Sequence, residues 1–135
     1  MMEELNGRVA VVTGGASGIG EALILAFAAS GMRTVVADID LERATAVAAS
    51  VSLAGTESVA VHVDVADNDS VVALADAAYT AFGAVHVLCN NAGVAGSLPL
   101  PIWEQPAEEW DWVMGVNFNA VLQGIRRFVP LMVEQ

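Results

Sequence analysis

The sequence contains no lysine, and its five basic residues are all arginines, set against sixteen aspartates and glutamates. Nucleic-acid binding through phosphates needs clustered basic side chains, and so does attraction to an anionic membrane surface. The net charge of −11 therefore predicts neither a nucleic-acid partner nor a membrane partner. We interpret the acidic balance as a contribution to solubility.

Cysteine and long apolar runs are also scarce. The single cysteine, Cys89, excludes an internal disulfide, and its apolar surroundings predict a small buried residue rather than a nucleophile. No apolar run approaches the ~18 residues of a membrane span, and the opening MMEELNGR is acidic, unlike a secretory signal. The sequence thus predicts a cytoplasmic protein. No group of histidines, cysteines and acids has metal-ligand spacing, so no metal site is predicted.

What the chain does have is four short valine-rich runs, at 8–13, 34–37, 58–63 and 84–90. They are nearly continuous in apolar residues, which is typical of strands buried on both faces of a parallel sheet. Helical patterns separate them. Alternating strands and helices predict an α/β fold with right-handed crossovers.

The helical patterns carry recognisable ends. In the first, an apolar stripe runs from Ile19 to Phe27, and Gly31 follows as a C-terminal cap. Asp40 is a candidate N-cap for the second helix. The third is predicted over about Ser70 to Phe82, after Asp67 or Asp69 and before Gly83.

The fourth helix is predicted to begin with Pro106 in its first position and to kink or end at Pro130. One face of this helix is predicted to include Trp110, Val113, Met114, Asn117 and Val121. Asn117 is the one polar residue among them, so it needs a hydrogen-bond partner. The three tryptophans, Trp103, Trp110 and Trp112, are interpreted as core or loop packing.

The first strand leads into a glycine-rich loop within RVAVVTGGASGIGEALILAF, residues 8–27. Glycines allow the backbone to turn tightly and approach a ligand, and the N-terminus of the following helix suits a pyrophosphate. The spacing Gly14-x-x-x-Gly18-x-Gly20 is not the standard G-x-G-x-x-G of dinucleotide sites. By itself, the loop is equally compatible with an ordinary strand-to-helix turn.

Asp38 favours the cofactor interpretation. It ends the second strand, 24 residues after Gly14, where a dinucleotide fold places the acid that binds the adenosine ribose. A carboxylate there would repel a 2′-phosphate, so NAD is predicted in preference to NADP. The alternative role, a helix cap, is equally available to Asp40.

Five motifs in order resemble the N-terminal half of a classical short-chain dehydrogenase/reductase. They are TGGASGIG (13–20), VVADID (35–40), VDV (63–65), NNAG (90–93) and EEWDWVMGVN (108–117). The resemblance covers essentially all 135 residues. It implies a Rossmann-like, doubly wound parallel sheet with strand order 3-2-1-4.

The resemblance also implies roles for individual residues. Asn117 corresponds to the asparagine of the family's catalytic tetrad, where it helps to hold a water for proton relay. Asp64 and the Val65 backbone would hold the adenine. The full set of implied cofactor-binding residues is Gly14, Ser17, Gly18, Ile19, Gly20, Asp38, Asp64, Val65, Asn90, Asn91, Ala92 and Gly93. For Asn90 and Asn91, tying loops together is an equally good interpretation.

The family's remaining catalytic residues have no counterpart. It uses a serine, a tyrosine as proton donor, and a lysine four positions later, all after the helix that carries Asn117. This sequence has no lysine, and its one tyrosine, Tyr79, precedes the fourth strand. We therefore expect residues 1–135 to form an incomplete NAD(P)-binding domain, truncated after the fourth strand and the following helix, and inactive alone. An alcohol or carbonyl substrate would require the missing half.

An open edge at the fourth strand predicts self-association or marginal stability. Three functions stay open at this point. The chain is the NAD-binding part of a dehydrogenase, or a non-catalytic NAD-binding or interaction module that pairs with a full-length relative, or a different nucleotide-binding fold such as a methyltransferase. The NNAG motif and Asn117 disfavour the third.

Overall fold

Four parallel strands alternate with helices in a computed structural model that describes residues 4–97 and 99–135. The strands are β1 (Val9–Thr13), β2 (Arg33–Asp38), β3 (Ser58–His62) and β4 (Val87–Cys89). The helices are α1 (Gly18–Ala29), α2 (Leu41–Leu53), α3 (Asn68–Phe82), α4 (Ala107–Met114) and α5 (Ala120–Glu134). A π-helical turn, Gly115–Asn119, joins the last two helices, and a short 3-10 turn, Ile102–Glu104, precedes α4.

The sheet has the order β3-β2-β1-β4, as predicted. Val11 at the centre of β1 pairs with Val35 of β2 on one side and Leu88 of β4 on the other. Because every strand runs in the same direction, all four carboxyl ends meet at one edge, where ligands bind in such sheets.

β4 is shorter than the predicted 84–90. At its start the Val9 N–H donates to Nδ1 of His86, 3.1 Å away, so a side chain takes the place of a ladder bond. Burial lowers the pKa of His86, and the charges of Arg8 and Arg33 lower it further, which keeps Nδ1 available as an acceptor.

The sheet is covered on both faces, and alternate residues of each strand supply the two cores. Val9 and Val11 face α3 and α5, whereas Val12 and Val36 face α1 and α2. This arrangement explains the continuous apolar runs, since a strand with helices on both sides has no solvent-facing residues. The doubly wound fold is confirmed.

Four helix ends match their predictions. Asp40 caps α2 by accepting from the Arg43 N–H at 3.0 Å. Asp67 caps α3, and Gly31 and Gly83 adopt positive φ after α1 and α3. In α1, however, the predicted apolar stripe is wrong at Ile19. Its side chain is 75% exposed, beside the glycine loop rather than in the core.

The C-terminal helices differ from the prediction at Pro106, and at Pro130 they exclude one of the two predicted outcomes, an end of the helix. Pro106 has an extended ψ of 156° and precedes α4 as its N-cap residue, so the helix begins at Ala107. Pro130 does not end α5, which continues to Glu134. Phe128 and Met132 pack into the core on either side of Pro130, and these contacts hold the helix across the missing backbone hydrogen bond.

The tryptophans do not pack in the core, which contradicts that part of the interpretation as core or loop packing. Trp103 is largely exposed, and Trp110 and Trp112 are about half exposed. The buried face of the C-terminal helices instead consists of Val116, Ala120, Gly124 and Phe128, one position out of step with the predicted face.

A second apolar stripe lies on the exposed side of α5 and the π-helical turn. Its members share spacings of three or four residues and are Phe118, Leu122, Ile125, Val129 and Val133. β4, at the edge of the sheet, leaves one side of its ladder without a strand partner in the described part of the chain. Self-association through these surfaces stays a prediction.

The attachment of α5 to the sheet can be tested at its largest buried side chain. Phe128 is 1% exposed, so Phe128→Ala should lower the free energy of unfolding by about 3–5 kcal/mol. Phe118, on the same helical segment, is 61% exposed, and Phe118→Ala should change the free energy of unfolding by about 0.5 kcal/mol or less. Urea denaturation measures both. Phe128→Leu provides a milder variant if the alanine variant does not fold, and equal losses at the two positions would contradict this packing.

Candidate functional site

A groove of about 560 Å³ opens at the carboxyl edge of the sheet. It is lined by all the predicted cofactor-binding residues except Asn90. These residues are Gly14, Ser17, Gly18, Ile19, Gly20, Asp38, Asp64, Val65, Asn91, Ala92 and Gly93. Segments far apart in sequence therefore meet in one cavity, as the motifs predicted.

The glycine loop is closely packed against the segment that follows β4. A Cβ on Gly14 would lie 2.9 Å from the Ala92 Cα, and Gly14 has a φ of +64°. A Cβ on Gly20 would lie 1.9 Å from the Gly14 carbonyl oxygen. Side chains at these two positions would force the loop away from the sheet.

Gly18 differs from these two glycines because it faces open space. Its φ is +53°, and a Cβ there would meet no atom within 4 Å. Ser17 precedes α1 in an extended conformation and makes no side-chain cap. The first N–H groups of a helix have no intrahelical partner, so those of Gly18, Ile19 and Gly20 are available to an anionic ligand in the groove.

Asp38 lines the groove and also holds the glycine loop. Its Oδ2 accepts from the Ala16 N–H and its Oδ1 from the Asp40 N–H, each at 3.0 Å. The cap of α2 is Asp40, so Asp38 does not have that role. In the described residues, no arginine lines the groove beside this carboxylate.

Thr13 is a structural residue that the sequence analysis missed. Its buried Oγ1 accepts from the N–H groups of Asn91 at 3.1 Å and Ala92 at 3.2 Å. The side-chain amide of Asn91 in turn donates to the backbone carbonyls of Thr13 and Gly14. A threonine between a buried strand and the first glycine was the only available signal.

Asn90 and Asn91 have different surroundings despite being adjacent. Asn91 ties the loops and lines the groove. Asn90 points to α5, where a Cβ on Gly124 would lie 2.3 Å from its Oδ1. Asn90 therefore does not share the groove with the other predicted residues, and its placement supports a packing role.

The turn after β3 forms another wall of the groove. Asp64 Oδ1 accepts from the Ala66 N–H at 2.9 Å, and the Ser70 hydroxyl accepts from the Asp64 N–H at 3.0 Å. These bonds fix the turn so that Asp64 and the buried Val65 line the cavity.

Asn117 lies on the π-helical turn and pairs with one residue of the loop after β4. Its Oδ1 accepts from the Val94 N–H at 2.8 Å, and its Nδ2 donates to the Val94 carbonyl at 2.7 Å. Its side chain therefore holds the segment next to Gly93, and its catalytic role stays a prediction. Trp112 and Val116 also line the groove and were not predicted.

The one tyrosine and the one cysteine lie outside the groove. The Tyr79 hydroxyl is 3.4 Å from Oε1 of Gln135, and burial raises its pKa, the opposite of an activated proton donor. Burial also raises the pKa of the Cys89 thiol, which disfavours the nucleophilic thiolate.

Two further expectations concern metals and membranes. The described residues contain no group of three or more histidines, cysteines and acids that could hold a metal ion. Among them, no helix is long and apolar enough to cross a membrane. The cytoplasmic setting stays a prediction.

Known proteins resemble this chain over nearly its whole length. The short chain dehydrogenase family model matches residues 8–135. A 1-deoxy-11-beta-hydroxypentalenate dehydrogenase of Streptomyces exfoliatus is 43% identical over 131 residues, which is 97% of this chain and 48% of that enzyme. A 3beta-hydroxysteroid dehydrogenase 2 of Eggerthella lenta is 37% identical over 97% of this chain and 50% of its own length.

Solved structures show the same relationship. A short chain dehydrogenase/reductase from Burkholderia phymatum in complex with NAD aligns with a TM-score of 0.90 and 47% identity, covering 99% of this chain and 47% of that one. A metagenomic short-chain oxidoreductase in complex with NADP aligns with a TM-score of 0.89 and 36% identity, covering 96% and 58%. The chain spans about half the length of the curated relatives that it matches.

The role of Thr13 gives a test of the loop geometry. Thr13→Val preserves the side-chain shape but leaves the Asn91 and Ala92 N–H groups without their acceptor, at a cost of about 1–3 kcal/mol in stability. Amide hydrogen exchange at Asn91 and Ala92 should speed up. Thr34→Val is the matched control, since it removes a buried hydroxyl bonded to Ser58 in the sheet. Unchanged exchange at Asn91 and Ala92 in Thr13→Val would contradict the assigned bonds.

Proposed function

Because the chain belongs to the short-chain dehydrogenase family, we propose that it binds NAD in the groove and forms the cofactor-binding part of an oxidoreductase. The complete enzyme would transfer hydride between NAD and an alcohol or carbonyl. The supporting observation is that the predicted cofactor residues, all but Asn90, line a single cavity. Family membership removes the methyltransferase alternative.

The groove suits a dinucleotide along its length. The N–H groups at the start of α1 would bind the pyrophosphate, with Gly18 leaving space beside them. Asp38 would accept hydrogen bonds from the adenosine ribose, and Asp64 with Val65 would hold the adenine. The segment from Gly93 to Val94 would face the nicotinamide end.

Bound NAD supplies the hydride acceptor, and the residues of this chain bind and orient it. Asn117 keeps the Val94 backbone in place through two hydrogen bonds. Proton transfer to or from the substrate oxygen requires a positioned acid or base. Neither Tyr79 nor Cys89 lines the groove, so we propose that this step depends on residues of the family's C-terminal half.

A preference for NAD over NADP is the finer part of this proposal. The Asp38 carboxylate lines the groove without an arginine beside it in the described residues, so a 2′-phosphate would meet only negative charge. We expect NAD to bind roughly tenfold more tightly than NADP, a difference of about 1.4 kcal/mol. Titration calorimetry with each nucleotide measures the ratio.

Asp38→Asn removes the charge while keeping an oxygen acceptor. We expect it to improve NADP binding and so to bring the dissociation constants of NAD and NADP closer together. Asp40→Asn is the matched control. It removes a charge only two residues from Asp38, and asparagine also caps helices well, so α2 should keep its cap. Equal dissociation constants for NAD and NADP in the unsubstituted chain would show the preference to be wrong.

A polypeptide of these 135 residues should show no steady NADH formation with NAD and simple alcohols, since its groove contains no proton donor of the family's type. Absorbance at the NADH band measures this, with a full-length family member as the positive control. Gly20→Ala is the control for a contaminating dehydrogenase in the preparation. Its Cβ would clash with the Gly14 carbonyl, so the variant should lose any activity that depends on this groove. Activity that Gly20→Ala abolishes would refute the expectation.

The second candidate function is a non-catalytic module that pairs with a full-length relative. The open edge of β4 and the exposed stripe from Phe118 to Val133 favour it, since unpaired edges and apolar patches are typical of interaction surfaces. NAD binding is common to both functions, whereas formation of a mixed complex with the relative would support only this one.

A further inference from the structure

Trp112 is an aromatic residue on α4 that the core does not explain. Its side chain is 44% exposed, and α4 contains no buried residue. The side chain nevertheless lines the groove, together with Val116 one helical turn later. An indole in this position offers a large flat apolar surface to whatever occupies the cavity.

The neighbouring helix contacts place Trp112 at one end of the groove. Gly115, one turn after Trp112, approaches the turn that follows β3, where its Cβ would lie 3.9 Å from the Ala66 Cβ. Residues three apart share a helix face, so Trp112 stands on the side of α4 that faces Asp64 to Ala66. The loop at Val94 is held from another position, by Asn117.

Two more apolar, exposed side chains line the groove. They are Ile19 and Ile39, and both are more than 60% exposed. An aromatic and two branched aliphatic side chains around a cavity of this size suit a flat heteroaromatic ring. Aromatic side chains bind nucleobases by stacking on their faces.

We propose that the Trp112 indole is a base-recognition wall, which packs against the adenine ring of the bound dinucleotide. This inference rests on the proposed function, because it assigns the adenine to the Asp64 end of the groove. It adds a contact with the face of the base to the edge contact expected from Asp64. Affinity for any adenine nucleotide then depends on an aromatic side chain at this position.

The test compares fragments of the cofactor. Trp112→Leu should weaken binding of NAD and of AMP by roughly fivefold to 150-fold, the range expected for loss of one stacked base. Binding of nicotinamide mononucleotide, which has no adenine, should stay the same. Trp112→Phe should restore most of the affinity for AMP, because it keeps a ring. Titration calorimetry on the 135-residue chain measures all of these.

Trp110→Leu is the matched control. Trp110 is 45% exposed on the same helix but does not line the groove, so its replacement should leave AMP binding unchanged. Far-ultraviolet circular dichroism and thermal unfolding without ligand verify that each variant is folded. Adenine should also quench tryptophan emission in the unsubstituted chain and in Trp110→Leu, and much less in Trp112→Phe.

The outcomes separate this inference from the proposed function. If the unsubstituted chain binds neither NAD nor AMP, both are overturned. If it binds both nucleotides and folded Trp112→Leu binds AMP equally well, only the role of Trp112 is overturned. The same holds if folded Trp112→Leu weakens nicotinamide mononucleotide as much as AMP, because the loss of affinity would then not depend on the adenine.

Discussion

The site depends on the close approach of two loops at the carboxyl edge of the sheet. Gly14 lies so near Ala92 that a side chain would collide with the neighbouring backbone at 2.9 Å. Thr13 and Asn91 fix this approach by exchanging hydrogen bonds across the gap between β1 and β4. The parallel order of the strands brings the loops together, and the absence of side chains at the glycines lets them touch.

The same polar groups that hold the loops also line the groove. Asp38 satisfies the N–H groups of Ala16 and Asp40 while it faces the cavity. Asp64 fixes its own turn by accepting from Ala66. A carboxylate already bonded to backbone N–H groups is held in place before a ligand arrives, so little ordering is needed on binding. Because these carboxylates also hold the loops, substitutions at Asp38 or Asp64 change the loops as well as the contacts with a ligand.

Much of this arrangement could be predicted from short-range patterns in the sequence. The glycine spacing, the acid at the end of β2 and the valine-rich runs depend on local backbone geometry and on burial. The errors arose where tertiary contacts decide. Pro130 stays within α5 because Phe128 and Met132 are anchored on either side of it. Asn90 and Asn91 follow one another just after β4 ends at Cys89, but Asn90 lies against Gly124 of α5 and Asn91 bonds the loop after β1. Ile19 fits a helical stripe and Trp112 was interpreted as core or loop packing, yet both line the groove.

Under the proposed function, the groove that binds the cofactor and the residues that transfer the proton belong to different parts of the family's architecture. Strands β1 to β4, the loops after them and one wall from α4 are enough to enclose a groove of dinucleotide size. Asn117 is the residue predicted to take part in the chemistry, and its amide oxygen and one of its amide N–H groups bond the backbone of Val94. That pairing joins the π-helical turn to the loop beside Gly93, which is the nicotinamide end of the groove under the proposed function. The same turn also approaches the proposed adenine end, where a Cβ on Gly115 would lie 3.9 Å from the Ala66 Cβ. Whatever packs on the exposed side of α5 would therefore lie behind a segment that contacts both ends of the groove.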